Sequence, residues 1–366
     1  MVYGMLILAC CLVCLLMRIP KLQQIRCLGL IVMLTMTAIV SGVRSSGVGT
    51  DSPMYARLIG HSDRCFEYGF EAGYCLLNSA IHWSDATYAV LFVLESLLLY
   101  GAIGLFIYRY VEKRWWGFSC LMIFGTRMFF MAMNISRQYI AVALCLLAFV
   151  LYERRRRAAA LGLVLLAMTF HITAIVVLLV SLIGRWARSE RFEFQSAVAV
   201  VVAFLMQFLD YGGIISWVAG FIPKYRHYQY DSLMDNTGTS ASLMAYTLAL
   251  SVVYIVYMWR RKRNERAGGA DNACGIARCE RDDLLLAGAL VYVVVSDAFA
   301  GVGTLSRMSV FFTVFFIWLL TALLATLGKR MQIAVELMVL IVSFLVCYRQ
   351  VYIRGNFGVL PYRVFF

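Results

Sequence analysis

The stretch from Ala86 to Trp116 reads ATYAVLFVLESLLLYGAIGLFIYRYVEKRWW. It is an apolar run of about the 20 residues that a bilayer-spanning helix needs, ending in Arg109, Lys113 and Arg114. An apolar stretch closed by a short basic cluster is the pattern left by membrane insertion, because basic loops are retained on the cytoplasmic side. The same alternation extends in both directions. Apolar segments begin near Val2, Cys27, Ala86, Gly117, Gln138, Ala158, Ile172, Phe194, Ala241, Leu284, Met308 and Met331.

Composition agrees with this pattern. The 366 residues are 62% hydrophobic and only 14% charged, with a mean hydropathy of +0.80. A soluble domain of that length needs far more polar surface. The expectation is an all-α polytopic membrane protein of about 12 transmembrane helices, with residues 1–366 forming a single integral membrane domain. The net charge of +13 does not point to nucleic acid, since the basic residues gather between apolar runs. Alternate connections hold 22 of the 33 lysines and arginines, the largest being Trp259–Asp283. These connections are predicted to be cytoplasmic, which puts both termini on the outer side. The first segment has no basic start and no small-residue cleavage site, so it reads as a retained helix. The four prolines fall in or beside loops, so the helices read as uninterrupted.

Two long loops then face outward, Arg44–Ser84 and Tyr211–Ser240. Cys65 and Cys75 in the first are placed on an oxidising side, where they could bridge. Cys274 and Cys279 form a lone C-x4-C, which is too little for a zinc site.

Polar residues at the outer helix ends carry the functional signal. Arg44, Arg137 and Arg307 each stand at such an end, next to Gly, Ser or Asn. Arg127 lies within an apolar segment, about 10 Å below Asn134 if the helix is continuous. An arginine at that depth is costly unless it faces a wet cavity or a counter-charge. Snorkelling explains any one of these arginines. As a group they suit a phosphate or pyrophosphate, whose oxygens match the guanidinium fork. His171, at a helix–helix turn, and Asp51, on an irregular turn before Pro53, are the candidate general bases. Glu67 and Glu71 are four apart and would share a face if helical. Asp210 and Asp297 lie near outer ends, whereas Glu95 and Glu336 lie deeper, where polar partners are expected. Tyr225, Tyr228 and Tyr230 alternate with Lys224, Arg226 and His227, which suits either an interfacial aromatic belt or stacking on sugar rings.

Taken in order, RSSGVGTDSPMY (44–55), NISRQYIAVAL (134–144), FHITAIVVL (170–178), LSRMSVFF (305–312) and VLPYRVF (359–365) resemble the EpsG-like branch of the Wzy-type bacterial polysaccharide polymerases. Tyr55 matches the tyrosine that follows Gly-Thr-Asp in that pattern, with Pro53 interposed, and the longer loop after the ninth helix is a departure. The resemblance implies a GT-C-like glycosyltransferase of the bacterial cytoplasmic membrane. It would join repeat units carried on undecaprenyl pyrophosphate and release undecaprenyl pyrophosphate. Implied partners are the lipid-linked donor and acceptor, the bilayer, and chain-length regulators or other assembly proteins. The expected roles are pyrophosphate binding for Arg137, Arg307, Arg44 and Arg127, and proton transfer for His171 or Asp51. Substrate contact is expected of Tyr55, Asn134, Gln138, Tyr225, Tyr228 and Tyr230. No outer carboxylate pair has the Asp-x-Asp form, so transfer without metal or cofactor is expected. The competing readings are a flippase or transporter of lipid-linked sugars, a related glycan ligase, and a structural assembly subunit. The lack of an internal repeat and the outer placement of the charges favour an enzyme over a transporter.

Overall fold

The computed structural model of the protein describes residues 1–209, 240–266 and 276–366. Every apolar segment becomes helix: α1 (Val2–Arg18), α2 (Arg26–Gly42), then two short loop helices, α3 (Ser52–Gly60) and α4 (Ala72–Trp83), and α5 (Ala89–Tyr110). They are followed by α6 (Trp116–Gly125), α7 (Met128–Ala132), α8 (Ser136–Glu153), α9 (Arg157–Met168), α10 (Leu178–Trp186), α11 (Phe192–Met206), α12 (Ala241–Arg266), α13 (Ile276–Ala298), α14 (Thr313–Ala325) and α15 (Lys329–Tyr348). Helix is what these sequences require in hydrocarbon, because every backbone N–H and C=O is then satisfied within the segment. Among the described residues the only β pairing is a single antiparallel bridge between Arg44 and Val364.

Among the described residues, six helices are long and apolar enough to cross a membrane: Pro20–Gly42, Ala89–Tyr110, Ser136–Glu153, Ala241–Arg263, Arg307–Ala325 and Lys329–Ile353. Shorter apolar helices cover Val2–Arg18, Arg157–Met168, Ile172–Trp186 and Phe192–Met206. The chain is therefore a polytopic membrane protein, helical throughout its described segments.

Contrary to the uninterrupted helices expected from sequence, the segment beginning near Gly117 is broken. Its first half ends at Gly125, where the Thr126 hydroxyl donates to the Met122 carbonyl at 2.7 Å. Arg127 then turns left-handed with φ 66°, and α7 runs for only one turn. The left-handed region costs a non-glycine residue roughly 1 kcal/mol. That turn lets Arg127 Nη1 donate to Gln350 Oε1 at 2.7 Å. The depth assigned to Arg127 by counting along a continuous helix is thereby corrected.

The residues cluster into two compact units, Met1–Ile175 with Gly328–Phe366, and Val176–Leu327. In the first, α5 packs against α2 and α8, α8 against α9, and α6 against α1 and α15. In the second, α13 is central and packs against α10, α11, α12 and α14.

The loop Arg44–Ser84 belongs to the first unit and is ordered by three devices. The C-terminal tail clasps its start: Ser45 N–H donates to Arg363 O at 2.8 Å, Gly49 N–H to Gly358 O at 2.9 Å and Thr50 N–H to Phe357 O at 3.0 Å. Gly49, at φ +104°, lies so close to the Met133 carbonyl that a Cβ there would stand 2.4 Å from its oxygen. Finally, Cys65 and Cys75 are disulfide-bonded, with Cα atoms 5.5 Å apart. The first and last sequence motifs thus meet, although more than 300 residues separate them.

Candidate functional site

At this loop end of the first unit, α4, α8 and the turn after α9 bring three ionisable side chains together. The start of α4 is held by the Thr169 carbonyl, which accepts the N–H groups of Gly73 at 2.8 Å and Tyr74 at 3.3 Å. Only glycine allows this approach, since a Cβ on residue 73 would lie 2.1 Å from Thr169 Oγ1. Glu71 immediately precedes α4 and His171 follows Thr169 by two residues, so the backbone lock sets their spacing. The Glu71 Oε1 atom lies 3.7 Å from His171 Nδ1. Its Oε2 accepts a hydrogen bond from Arg137 Nη1 at 2.5 Å. Arg137 is the second residue of α8, and its guanidinium lies over the rings of Phe70 (4.4 Å) and Tyr74 (5.7 Å), a cation–π clamp.

The side chains of Glu71, Arg137 and His171 are 12%, 21% and 24% exposed. The cluster is therefore half-sheltered but open to a ligand. A carboxylate shared between an imidazole and a guanidinium can orient the imidazole for proton transfer. The guanidinium has donors beyond those given to Glu71 and Tyr55, and these suit an anion.

Tyr55 supports the cluster from below. It faces inward from α3 at 2% exposure, edge-on to Tyr74 with ring centroids 5.7 Å apart. Burial pushes its phenol up to about 12, while the Arg137 guanidinium pulls the other way by charge and hydrogen bonding. Tyr74 is raised as well, again through burial. Asp51 is the N-cap residue of α3, and its side chain makes no capping hydrogen bond to that helix. Its N–H donates to Asn134 Oδ1 at 2.9 Å, and the Ser52 hydroxyl donates to the Met133 carbonyl at 2.9 Å. Asn134 therefore holds the loop. Tyr55 is closed off from solvent, so its place is in the support of Arg137 and not on a sugar-binding surface.

Arg44 is corrected most clearly. Its side chain is 0% exposed and pairs through Nη2 with the buried Glu95 at 3.1 Å. It also donates to the Ser41 carbonyl at 2.6 Å and to Ser136 Oγ at 3.2 Å, and lies 3.9 Å over the Phe92 ring. With its donors turned inward, Arg44 offers nothing to a pyrophosphate at the surface. Gln138 is also buried, at 3%. Arg127, half-buried, is joined to Gln350. Arg307 is exposed and opens the 3-10 turn Arg307–Phe312 in the second unit. Asp210, Tyr225, Tyr228 and Tyr230 lie outside the described residues. The deep carboxylates do find partners: Glu336 is bound by Arg18 and Glu95 by Arg44. Asp297, read as lying near an outer end, accepts from Ser251 Oγ at 2.5 Å.

Glu71 is the member of the cluster that sequence reasoning passed over. Its relation to Glu67 suggested one helical face, but Glu67 is exposed in a turn and only Glu71 meets a helix. The available signal was the neighbouring cysteine pair, which closes the loop just around it.

No curated protein and no solved structure matches the chain significantly. The EpsG family model matches residues 27–364, a span that includes Asp51, Tyr55, Glu71, Arg137 and His171. The chain therefore belongs to the EpsG family, and with it to the membrane-embedded, polymerase-like proteins of polysaccharide biosynthesis.

Proposed function

We propose that the protein is a Wzy-type polysaccharide polymerase with a GT-C-like fold of about 12 spans, working on the outer face of the bacterial cytoplasmic membrane. Donor and acceptor are oligosaccharide repeats on undecaprenyl pyrophosphate. The acceptor hydroxyl oxygen attacks the anomeric carbon of the donor glycan. The bond from that carbon to the pyrophosphate oxygen breaks, its electron pair leaves with undecaprenyl pyrophosphate, and the hydroxyl proton passes to a base. His171 and Asp51 are the candidates for that base. Arg137, with Arg127 of the same unit, would stabilise the anionic leaving group. Holding two lipid carriers in one site supplies the proximity advantage. The basic connections, Trp259–Asp283 among them, would face the cytoplasm and both termini would lie outside. Chain-length regulators are the natural protein partners.

This reading is supported chiefly by the meeting of Arg137, Glu71 and His171, which joins an anion-binding group to a proton acceptor in one half-open cluster. Family membership gives the substrate class its context. The test is to incubate purified protein with lipid-linked repeat and resolve the products by length. A ladder of longer glycans is expected, and the single repeat remaining unextended would reject the proposal.

One observation favours a transporter instead: the helix break at Arg127, since discontinuous helices line many transport sites. Flipping of labelled lipid-linked repeat in proteoliposomes, without any change in glycan length, would establish that alternative.

A further inference from the structure

We propose that Glu71 is the positioning residue of His171: its carboxylate fixes the imidazole with the proton on Nδ1 and leaves Nε2 to take the proton of the acceptor hydroxyl. The proposal rests on the polymerase reading above and chooses between its two bases.

The geometry gives Glu71 this role beside its ion pair with Arg137. A neutral imidazole carries one N–H, and an acceptor-only carboxylate facing Nδ1 favours the tautomer with the proton there. Glu71 Oε1 faces Nδ1 at 3.7 Å, a distance that must close slightly to make a hydrogen bond. Such bonds commonly tighten when substrate arrives. The carboxylate cannot swing freely, because Arg137 holds its other oxygen at 2.5 Å. Arg137 in turn is held over Phe70 and Tyr74. The Thr169 carbonyl, bonded to the Gly73 and Tyr74 N–H groups, keeps the two backbones in register. Proton and electrons balance simply. The hydroxyl proton moves to Nε2 as the new glycosidic bond forms and the pyrophosphate departs. The resulting imidazolium is stabilised by the Glu71 carboxylate and afterwards releases its proton to water. Asp51 is then left to orient the acceptor.

The experiment uses the full-length protein in nanodiscs. Of the four histidines, His61, His82 and His227 are replaced by Asn, so that His171 alone reports. Nitrogen-15 NMR of the imidazole at alkaline pH should find the proton on Nδ1, and Glu71→Ala should erode that preference. Polymerisation by Glu71→Ala should fall about 10²-fold, the low end of general-base contributions. In a His171→Gln background the same change should cost less than about threefold more, because residues acting as a unit are not additive. The opposite tautomer in the unmutated cluster, or an undiminished loss in the His171→Gln background, would overturn the proposal. Should Glu71→Ala fail to fold, the tautomer of the unmutated cluster decides alone. That measurement needs no substrate, so it stands even where the protein elongates nothing and the polymerase reading itself fails.

Discussion

Arg44 and Glu95 form an ion pair of 3.1 Å with both side chains closed to solvent, 0% and 1% exposed. The pair joins the start of the first loop to α5, while the Ser136 hydroxyl adds α8. Breaking a buried pair strands the remaining charge, at a cost of roughly 3–5 kcal/mol. Arg44→Ala is therefore expected to lower the folded yield and the thermal midpoint in detergent. The double variant Arg44→Met with Glu95→Leu should recover much of that loss. A stable but inactive Arg44→Ala protein would instead return Arg44 to the catalytic site.

Arg137 is expected to tolerate no substitute. Lysine keeps the charge but cannot bridge Glu71 while lying flat over Phe70 and Tyr74. Arg137→Lys should insert normally and lose most polymerisation in the ladder assay, and Arg137→Ala should lose more. Near-wild-type ladders from both would remove Arg137 from the mechanism.

His171 and Asp51 separate by the kind of loss. With His171 as base, His171→Gln should cost about 10²–10⁴ in turnover. Asp51→Asn should chiefly raise the acceptor concentration needed for half-maximal rate. The reverse pattern, read from initial rates against acceptor concentration, would transfer the proton to Asp51.

The Cys65–Cys75 bond closes a loop of about ten residues, worth roughly 2.7 kcal/mol in loop-closure entropy. Its loss should loosen Glu71 and reduce polymerisation in Cys65→Ser with Cys75→Ser. It also tests topology. In intact spheroplasts an impermeant reductant should expose these thiols to an impermeant label, while a cysteine placed at Ser189 should stay protected. Swapped labelling would reverse the proposed orientation.

Tyr55 sets an alkaline limit. Its phenol is pushed from 10.0 up to about 12, so the folded state holds the proton more tightly than the unfolded chain. The corresponding stabilisation, of order 3 kcal/mol, is complete below about pH 10 and is lost as pH rises through about 12. Thermal midpoints measured from pH 9 to 12 should fall over this range. The fall should be shallower in Tyr55→Phe, and equal slopes in the two proteins would count against the assignment.

What the sequence determined by itself was the membrane-embedded helical class and the position of every apolar segment along the chain. Those follow from local properties: an apolar stretch in lipid has to satisfy its own backbone, so it becomes helix wherever it falls. The motifs around Asp51, Arg137 and His171 were legible for a similar reason, because charged or polar residues at apolar boundaries are costly and stand out. Only the tertiary structure decided which of these charges is spent. Arg44 and Arg137 look alike in sequence, each beside a small polar residue at a helix end. One is sealed against Glu95, and the other shares Glu71 with His171 at a half-open surface. Likewise Arg127 broke its helix to reach Gln350, and Glu71 was brought to His171 through the Thr169 carbonyl. Hydrophobic periodicity is a one-dimensional signal and reports where a residue sits between lipid and water. The partner of a charge depends on contacts between segments tens to hundreds of residues apart, which only the folded packing brings within 4 Å.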